Sequence, residues 1–265
     1  EDPSRICDWL VLDGAQVTRP SIDPYREEIE ITMYLGGTKL RLSSPFFFTH
    51  LPDDVTESVF RIFERTSMSL GLLIDVENYG LRTRGYDERA ITDLRSTYES
   101  TVRSISLQSY LGDSSLKRAL TRAKDDNRLV VLKIPSSRIE VERAVDAVVS
   151  AGIFDGVLVD EDARGSNTPL EISTSLLDRA LKGKQLRSRV NVIAEGNSIR
   201  GSDDVLKIVA LGADCIGLGK AALIAIGFEE GDSEIVFDYQ KSMQRLENFV
   251  IGMQREIKLL AGAAG

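Results

Sequence analysis

The sequence predicts a single (β/α)8 TIM barrel with an N-terminal β-hairpin in front of it and a long C-terminal helix behind it. Its 265 residues are about the length of one such barrel. Eight short apolar runs, each typical of a buried strand, alternate with helical patterns, which favours a closed parallel sheet. The last two strand–helix units each open their helix through a glycine turn, as barrels do where they bind phosphate.

We expect one domain made of three segments. They are an N-terminal extension and hairpin over 1–43, a barrel over 44–228 and a C-terminal helix over 235–262. Alternating apolar residues over 28–34, a Gly36-Gly37 turn and a second alternating run over 39–42 predict the hairpin. We expect it to close the bottom of the barrel.

The barrel strands are predicted from apolar, β-branched runs bounded by turn residues. These runs are 45–49, 70–76, 90–94, 102–107, 129–134, 156–159, 190–194 and 213–217. The third run also fits a helix on periodicity alone. Helix ends are indicated by Thr56 and Ser202 as N-caps and by Gly152 and Gly212 after the last turn.

The last helix carries one apolar stripe at alternating spacings of four and three residues. The stripe consists of Tyr239, Met243, Leu246, Val250, Met253, Ile257 and Leu260. We expect it to pack against the barrel wall, and a dimer seam is the alternative.

Composition narrows the class of protein. The hydrophobic fraction of 42% and charged fraction of 28% are those of an ordinary globule. A net charge of −8 argues against a nucleic-acid surface, and no apolar run reaches membrane-spanning length. Cys7 and Cys215 are too few for an iron–sulfur cluster, and we expect reduced thiols in a cytoplasmic protein. His50 is the only histidine, which argues against a histidine-based metal site.

Two glycine turns are the clearest functional signal. The strand over 190–194 ends at the loop 195–201, and the next strand ends at Gly217-Leu218-Gly219-Lys220. Together they would present two sets of free backbone N–H groups, with Arg200 and Lys220 beside them. One turn alone would indicate only a tight bend, but two in adjacent units predict a site for a phosphate-bearing small molecule.

These residues resemble a known family. The N-terminal runs 15–19 and 22–27, the two glycine turns and the strand-end Lys133 together resemble the FMN-binding barrel of glutamate synthase. The short archaeal-type glutamate synthase-like proteins are the most similar in pattern. The resemblance spans nearly the whole chain and implies an FMN-dependent oxidoreductase.

The resemblance also implies roles for particular residues. The FMN phosphate would be held at Gly196, Asn197, Ile199, Arg200, Gly217, Gly219 and Lys220. Lys133 would face the flavin pyrimidine and stabilise negative charge on the reduced ring, provided that Leu132 and Ile134 pack under helices. Glu77 matches a family glutamate and, with Lys133, is a candidate catalytic residue. His50 and Gln108 fall at the ring end of the site.

The chain departs from the family pattern at the ring end. His50 stands where the family has small residues, and Asn78 and Tyr79 replace glycines after the second strand. Only residues 109–132 remain where the family has a long substrate-reading excursion, and Phe228 stands where the first cluster cysteine would be. The resemblance therefore implies a better kept phosphate end, a weakened or lost ring site and no glutamate synthesis by this chain alone.

Three functions follow as alternatives. The first is a glutamate synthase-like oxidoreductase with an altered substrate and weak or absent FMN binding. The second is a catalytically inactive barrel that binds a ligand or a protein partner subunit. The third is a phosphate-sugar isomerase or lyase, for which Glu77, Asp160, Glu161 and Glu195 are candidate acid and base groups.

Overall fold

The computed structural model describes residues 5–16, 18, 20–37, 39–51, 56–75, 90–93, 102–228 and 238–265. Eight parallel strands form a closed barrel in the order β10-β3-β4-β5-β6-β7-β8-β9. The strands are β1 Met33–Leu35, β2 Leu40–Leu42, β3 Phe46–Phe48, β4 Ile74–Asp75, β5 Ala90–Asp93, β6 Val102–Ser106, β7 Leu129–Pro135, β8 Gly156–Asp160, β9 Asn191–Gly196 and β10 Cys215–Leu218. The predicted barrel is confirmed. The third apolar run, which also fits a helix on periodicity, forms strand β5.

Where the residues between barrel strands are described, helices alternate with the strands and form the outer layer. They are α1 Ile6–Trp9, α2 Glu57–Leu70, α3 Leu107–Gly112, α4 Ser114–Asp125, α5 Arg138–Ala151, α6 Leu170–Gly183, α7 Ser202–Ala210, α8 Lys220–Ile226 and α9 Tyr239–Ala264. Within the described residues, no helix is both long and apolar enough to cross a membrane.

Side chains alternate between the barrel interior and the helix layer, as strand geometry requires. On β7, Leu132 and Ile134 pack in the core under the helices, whereas Leu129 and Val131 pack inside the barrel. The interior is apolar at its lower levels. Lys133 is the next inward-facing position above Val131, so the strand pattern brings its amine to the upper, C-terminal end of the barrel.

The N-terminal hairpin closes the lower end, as expected. β1 and β2 pair antiparallel, and their apolar side chains Leu35, Leu40 and Leu42 belong to the interior core. The Gly36 N–H donates to Oδ1 of Asn191, the first residue of β9, at 2.8 Å. Asn191 lies where β9 begins, so the hairpin packs against the end of the barrel at which the strands start. There it shields the interior core from solvent.

Two neighbouring glycines offer a matched test of this closure. Both have positive φ, +61° at Gly36 and +78° at Gly37, but only a Cβ at Gly36 would meet a side chain, 2.1 Å from Leu129 Cδ2. We expect Gly36→Ala to lower the free energy of unfolding by about 2–4 kcal/mol, from backbone strain plus overpacking. Gly37→Ala should cost only the strain, about 1 kcal/mol. Equal effects in urea denaturation would show that the hairpin does not pack on the barrel core.

The terminal helix covers the barrel wall. Leu246, Val250, Met253 and Ile257 of its apolar stripe are buried in the main core, and α9 packs on α2, α7 and α8. The wall interpretation of the stripe is therefore confirmed over the dimer seam. The predicted start at 235 falls in 229–237, outside the described residues, and the helix described begins at Tyr239.

Two predicted boundaries are wrong for local reasons. The second strand is predicted from Leu70, but Leu70 ends α2, and the described strand begins at Ile74. Ser202 is not an N-cap: Gly201 takes that position, and the Ser202 hydroxyl donates to Glu256 Oε2 at 2.5 Å. The serine thus fastens α7 to α9 instead of capping its own helix.

Both cysteines are buried and free, as expected from their number. Burial raises the pKa of the Cys7 thiol, with Glu171 adding to the effect, and burial likewise raises the pKa of the Cys215 thiol. Neither is therefore a reactive thiolate.

Candidate functional site at the barrel mouth

The uppermost inward-facing layer of the barrel is charged. Lys133 Nζ lies 2.8 Å from Glu195 Oε1, 3.2 Å from Asp160 Oδ2 and 3.9 Å from Asp75 Oδ2. The four side chains come from β7, β9, β8 and β4 and are mostly or wholly buried, Glu195 completely so. We call these four residues the ion cluster.

Because the ion cluster is buried, each of its charges depends on the others for stability. A buried carboxylate is costly to desolvate unless a cation or hydrogen bonds compensate. Glu195 receives both, since Lys133 pairs with one carboxylate oxygen and the Thr49 hydroxyl donates to the other at 2.7 Å. A Cβ at Gly217 would lie 2.6 Å from Thr49 Cγ2 and 2.7 Å from Glu195 Cβ. The glycine therefore makes room for this internal pair.

His50 extends the ion cluster toward the loops. Its Nε2 lies 3.1 Å from Asp160 Oδ1 and 3.8 Å from Asp162 Oδ2. Burial disfavours charge on the ring, but the hydrogen bond with Asp160 and the negative charges of Glu195, Asp160 and Asp162 outweigh it and raise the pKa of His50 to about 9. His50 is therefore an imidazolium at neutral pH. Its backbone has φ +50°, uncommon for a residue other than glycine.

The pKa of Asp160, the carboxyl group paired with His50, is lowered, whereas the pKa of His50 is raised. Burial alone would raise the pKa of Asp160, but His50 and Lys133 together hold it below its ordinary value. Asp160 Oδ1 also accepts the backbone N–H groups of Asp162 at 2.9 Å and Ala163 at 3.1 Å. One carboxylate thus joins the ion cluster to the β8–α6 loop.

His50, Asp160 and Glu195 bring three potential metal-ligand atoms within 4.8 Å of one another. A metal ion would have to displace the proton that the neighbouring carboxylates favour on the His50 ring. The Lys133 ammonium, 2.8 Å from Glu195, already supplies the cation of this group. These side chains form an ion-paired cluster, with which a metal ion would have to compete.

The two glycine turns lie side by side, because the Lys220 N–H donates to Asn197 Oδ1 at 3.1 Å. Other backbone donors predicted to bind phosphate also have protein acceptors. The Asn197 N–H donates to Asp162 Oδ2 at 2.7 Å, and the Arg200 N–H donates to Asp204 Oδ2 at 2.8 Å. The corner has the predicted shape, but the chain's own oxygens engage these donors.

The space left by the glycines is also taken. A Cβ at Gly196 would lie 2.5 Å from Glu161 Oε2 and 2.9 Å from Glu161 Cβ. A Cβ at Gly219 would lie 2.7 Å from Asn197 Oδ1 and 2.9 Å from His50 Cβ. These glycines allow close approach, as predicted, but it is the protein that approaches.

The remaining predicted residues are dispersed. The Ile199 side chain is buried in the helix-side core, so a part in phosphate binding would fall to its backbone and stays a prediction. The Arg200 side chain is 64% exposed and lies 4.0 Å from Asp8. Lys220 and, in α3, Gln108 are exposed. Glu77 lies outside the described residues, so its catalytic role stays a prediction.

Sequence reasoning missed Asp75, Thr49 and Asp162. For Asp75 a signal was available, because it follows the inward-facing Leu73 at a spacing of two. Asp162 gave no signal, since its role depends on a loop that folds back onto the neighbouring unit. Arg5 was missed as well; its guanidinium bonds the Ser198 carbonyl and, at 2.9 Å, Asp204 Oδ2. The N-terminal segment thereby braces the 196–204 loop.

The fold and the position of the ion cluster define an α/β barrel with its candidate site at the carboxyl ends of the strands. Comparison with known proteins is consistent with this class. The family described as the conserved region in glutamate synthase matches residues 156–233. The archaeal glutamate synthase (NADPH) of Methanocaldococcus jannaschii is 22% identical, covering 97% of this chain and 72% of that protein. The archaeal-type enzyme of Dehalococcoides mccartyi is 23% identical, covering 83% and 60%. The predicted resemblance to glutamate synthase is confirmed.

Solved structures with the same fold include flavoproteins. The recombinant flavin-binding domain of baker's yeast flavocytochrome b2 has a TM-score of 0.59 and 16% identity, covering 89% of this chain and 69% of that one. Inosine 5′-monophosphate dehydrogenase from Legionella pneumophila has a TM-score of 0.60 and 15% identity, covering 97% and 93%. At these identities the likeness shows the fold.

The relatives are longer than the matched region. The alignment with the M. jannaschii protein runs over 369 positions, more than the 265 residues of this chain. That relative therefore contains residues with no counterpart here.

Proposed function

We propose that this chain is a glutamate synthase-like barrel that has given up FMN-dependent redox chemistry and acts as a ligand-binding subunit. Its mouth would accept a neutral or cationic small molecule. The observation that carries this proposal is the pairing of Lys133 with the buried carboxylates of Asp160 and Glu195. A protein partner subunit would supply any redox function, because two cysteines are too few to hold an iron–sulfur cluster in this chain.

Among the described residues, the groups expected to hold FMN already have partners within the chain. A reduced flavin ring needs a cation that can stabilise negative charge on the pyrimidine. The Lys133 ammonium already neutralises the Glu195 carboxylate, with 2.8 Å between Nζ and Oε1. Drawing Lys133 toward a flavin would leave Glu195 buried without its cation, a cost of several kcal/mol. At the phosphate end, the Asn197 and Lys220 amides are engaged by side-chain oxygens.

The charge balance of the mouth points the same way. Arg200 and Lys220 are exposed on the loops, and the inward-facing cations among the described residues of the mouth are Lys133 and His50. They face the carboxylates of Asp75, Asp160, Asp162 and Glu195. An excess of negative charge in this inner layer favours neutral or cationic ligands over anionic ones beside it. The same balance disfavours phosphate-sugar isomerisation, although Asp160 and Glu195 lie together as that alternative requires.

Flavin titration tests the proposal. Flavin fluorescence would be followed while FMN, and separately riboflavin, is mixed with the purified chain. We expect no saturable binding of either, with any Kd weaker than about 100 μM. The flavin-binding domain of flavocytochrome b2 is the positive control. Stoichiometric riboflavin binding, or a yellow protein as purified, would show that the ring end is open and would contradict the proposal.

A further inference from the structure

We propose that Glu161 and Asp162 are built-in anions that hold the corner between α7 and α8, where a phosphate would otherwise bind. This rests on the proposed function, since it gives the reason that the phosphate end of the site is closed. Two carboxylates of the β8–α6 loop replace an external anion. The barrel thus retains an anion-binding shape while excluding phosphate.

The hydrogen bonds support this assignment directly. Asp162 Oδ2 accepts the Asn197 N–H at 2.7 Å, the length of a charge-assisted bond. Glu161 Oε2 accepts the Ser198 hydroxyl. Both donors belong to the glycine turn after β9, and both acceptors belong to the preceding strand–helix unit. Each carboxylate therefore does the work of an anion at a turn built to receive one.

Packing supports it independently. Glu161 lies over the Cα of Gly196, so closely that a Cβ there would be 2.5 Å from its carboxylate. An external phosphate that approached this glycine would meet the Glu161 side chain. The space left by the missing side chain at Gly196 is therefore occupied by Glu161.

The loop that carries both carboxylates is held firmly. Asp160 Oδ1 accepts the N–H groups of Asp162 and Ala163, and the Ser166 hydroxyl donates to the Asp160 carbonyl at 2.8 Å. The Ser136 N–H in turn donates to Ser166 Oγ at 2.9 Å. The carboxylates are therefore positioned in advance and need no further ordering to occupy the corner.

Inorganic phosphate is a suitable probe because it lacks the flavin ring. Backbone amide resonances of the ¹⁵N-labelled chain would be followed by NMR during a phosphate titration at constant ionic strength. We expect the Asn197 and Lys220 amides of the wild type to be unaffected. In Asp162→Ala they should shift and saturate, with phosphate bound at least tenfold more tightly than by the wild type. Asp146→Ala, at an exposed aspartate of α5, matches the change in charge and should behave as the wild type.

Two results would overturn the proposal. One is saturable phosphate binding at Asn197 in the wild type, and the other is an Asp162→Ala protein that binds phosphate no better than Asp146→Ala. Should Asp162→Ala fail to fold, Glu161→Gln keeps the side-chain volume, removes one charge and should still tighten phosphate binding severalfold. Riboflavin separates the two proposals. Riboflavin binding contradicts the loss of the ring site in the proposed function and leaves this inference standing, whereas phosphate binding without riboflavin binding overturns this inference and leaves the loss of the ring site standing.

Discussion

Replacing Lys133 by methionine should lower the free energy of unfolding by about 3–5 kcal/mol, the usual cost of leaving buried charge without its partner. Methionine keeps most of the side-chain length but removes the cation from beside Glu195, Asp160 and Asp75. In a chain of this size the change should lower the melting temperature by roughly 10 °C. Urea denaturation followed by circular dichroism measures it.

Two further variants make this prediction specific. Lys184→Met, at an exposed lysine after α6, controls for the loss of one positive charge and should change stability by less than about 0.5 kcal/mol. Glu195→Gln added to Lys133→Met should recover part of the loss, because it removes the charge left unpaired. If Lys133→Met is as stable as Lys184→Met, the ion cluster does not hold the mouth together.

The position of Lys133 could be predicted from the sequence, but its partners could not. Alternation along one strand suffices to send Leu132 and Ile134 to the helices and Lys133 inward. Asp75 and Glu195 are far from Lys133 in the chain, and they meet it only because the closed barrel brings their strand ends to one level. That meeting depends on the register of all eight strands.

The glycine turns show a different limit. The lack of a Cβ at Gly196 and Gly219 permits close approach, and this much can be read from the residue type. It does not say what approaches. Here Glu161 and Asn197 fill these spaces. An FMN phosphate predicted at the same positions would compete with groups that the fold already supplies.

The prediction of helix boundaries failed where a residue suits two local structures equally well. Ser202 is a good N-cap residue, but its hydroxyl has a tertiary partner in Glu256. Leu70 suits a buried strand, yet α2 continues through it to a left-handed Gly71. In both cases packing between distant segments overrides the local signal.

The central claim is that the charges at the mouth are paired with one another, and His50 is the residue that can report it. As the chain's only histidine, it gives a single imidazole signal in an NMR spectrum. Its pKa in the folded protein lies above the ordinary value, so the imidazolium stabilises the fold. This stabilisation is complete below about pH 6.5, is lost as the pH rises through about 9, and amounts to about 3 kcal/mol.

The most direct measurement is therefore an NMR titration of the His50 ring between about pH 5 and about pH 10, which brackets its ordinary and raised pKa values. Pairing with Asp160, beside Asp162 and Glu195, predicts a midpoint near the pKa of about 9. His50→Asn, which tolerates the same backbone conformation, should lose the signal and the matching fall in stability between pH 7 and pH 10, a window of roughly three units. A midpoint at or below the ordinary pKa of about 6.5 would show that the ring is not paired and would contradict the account.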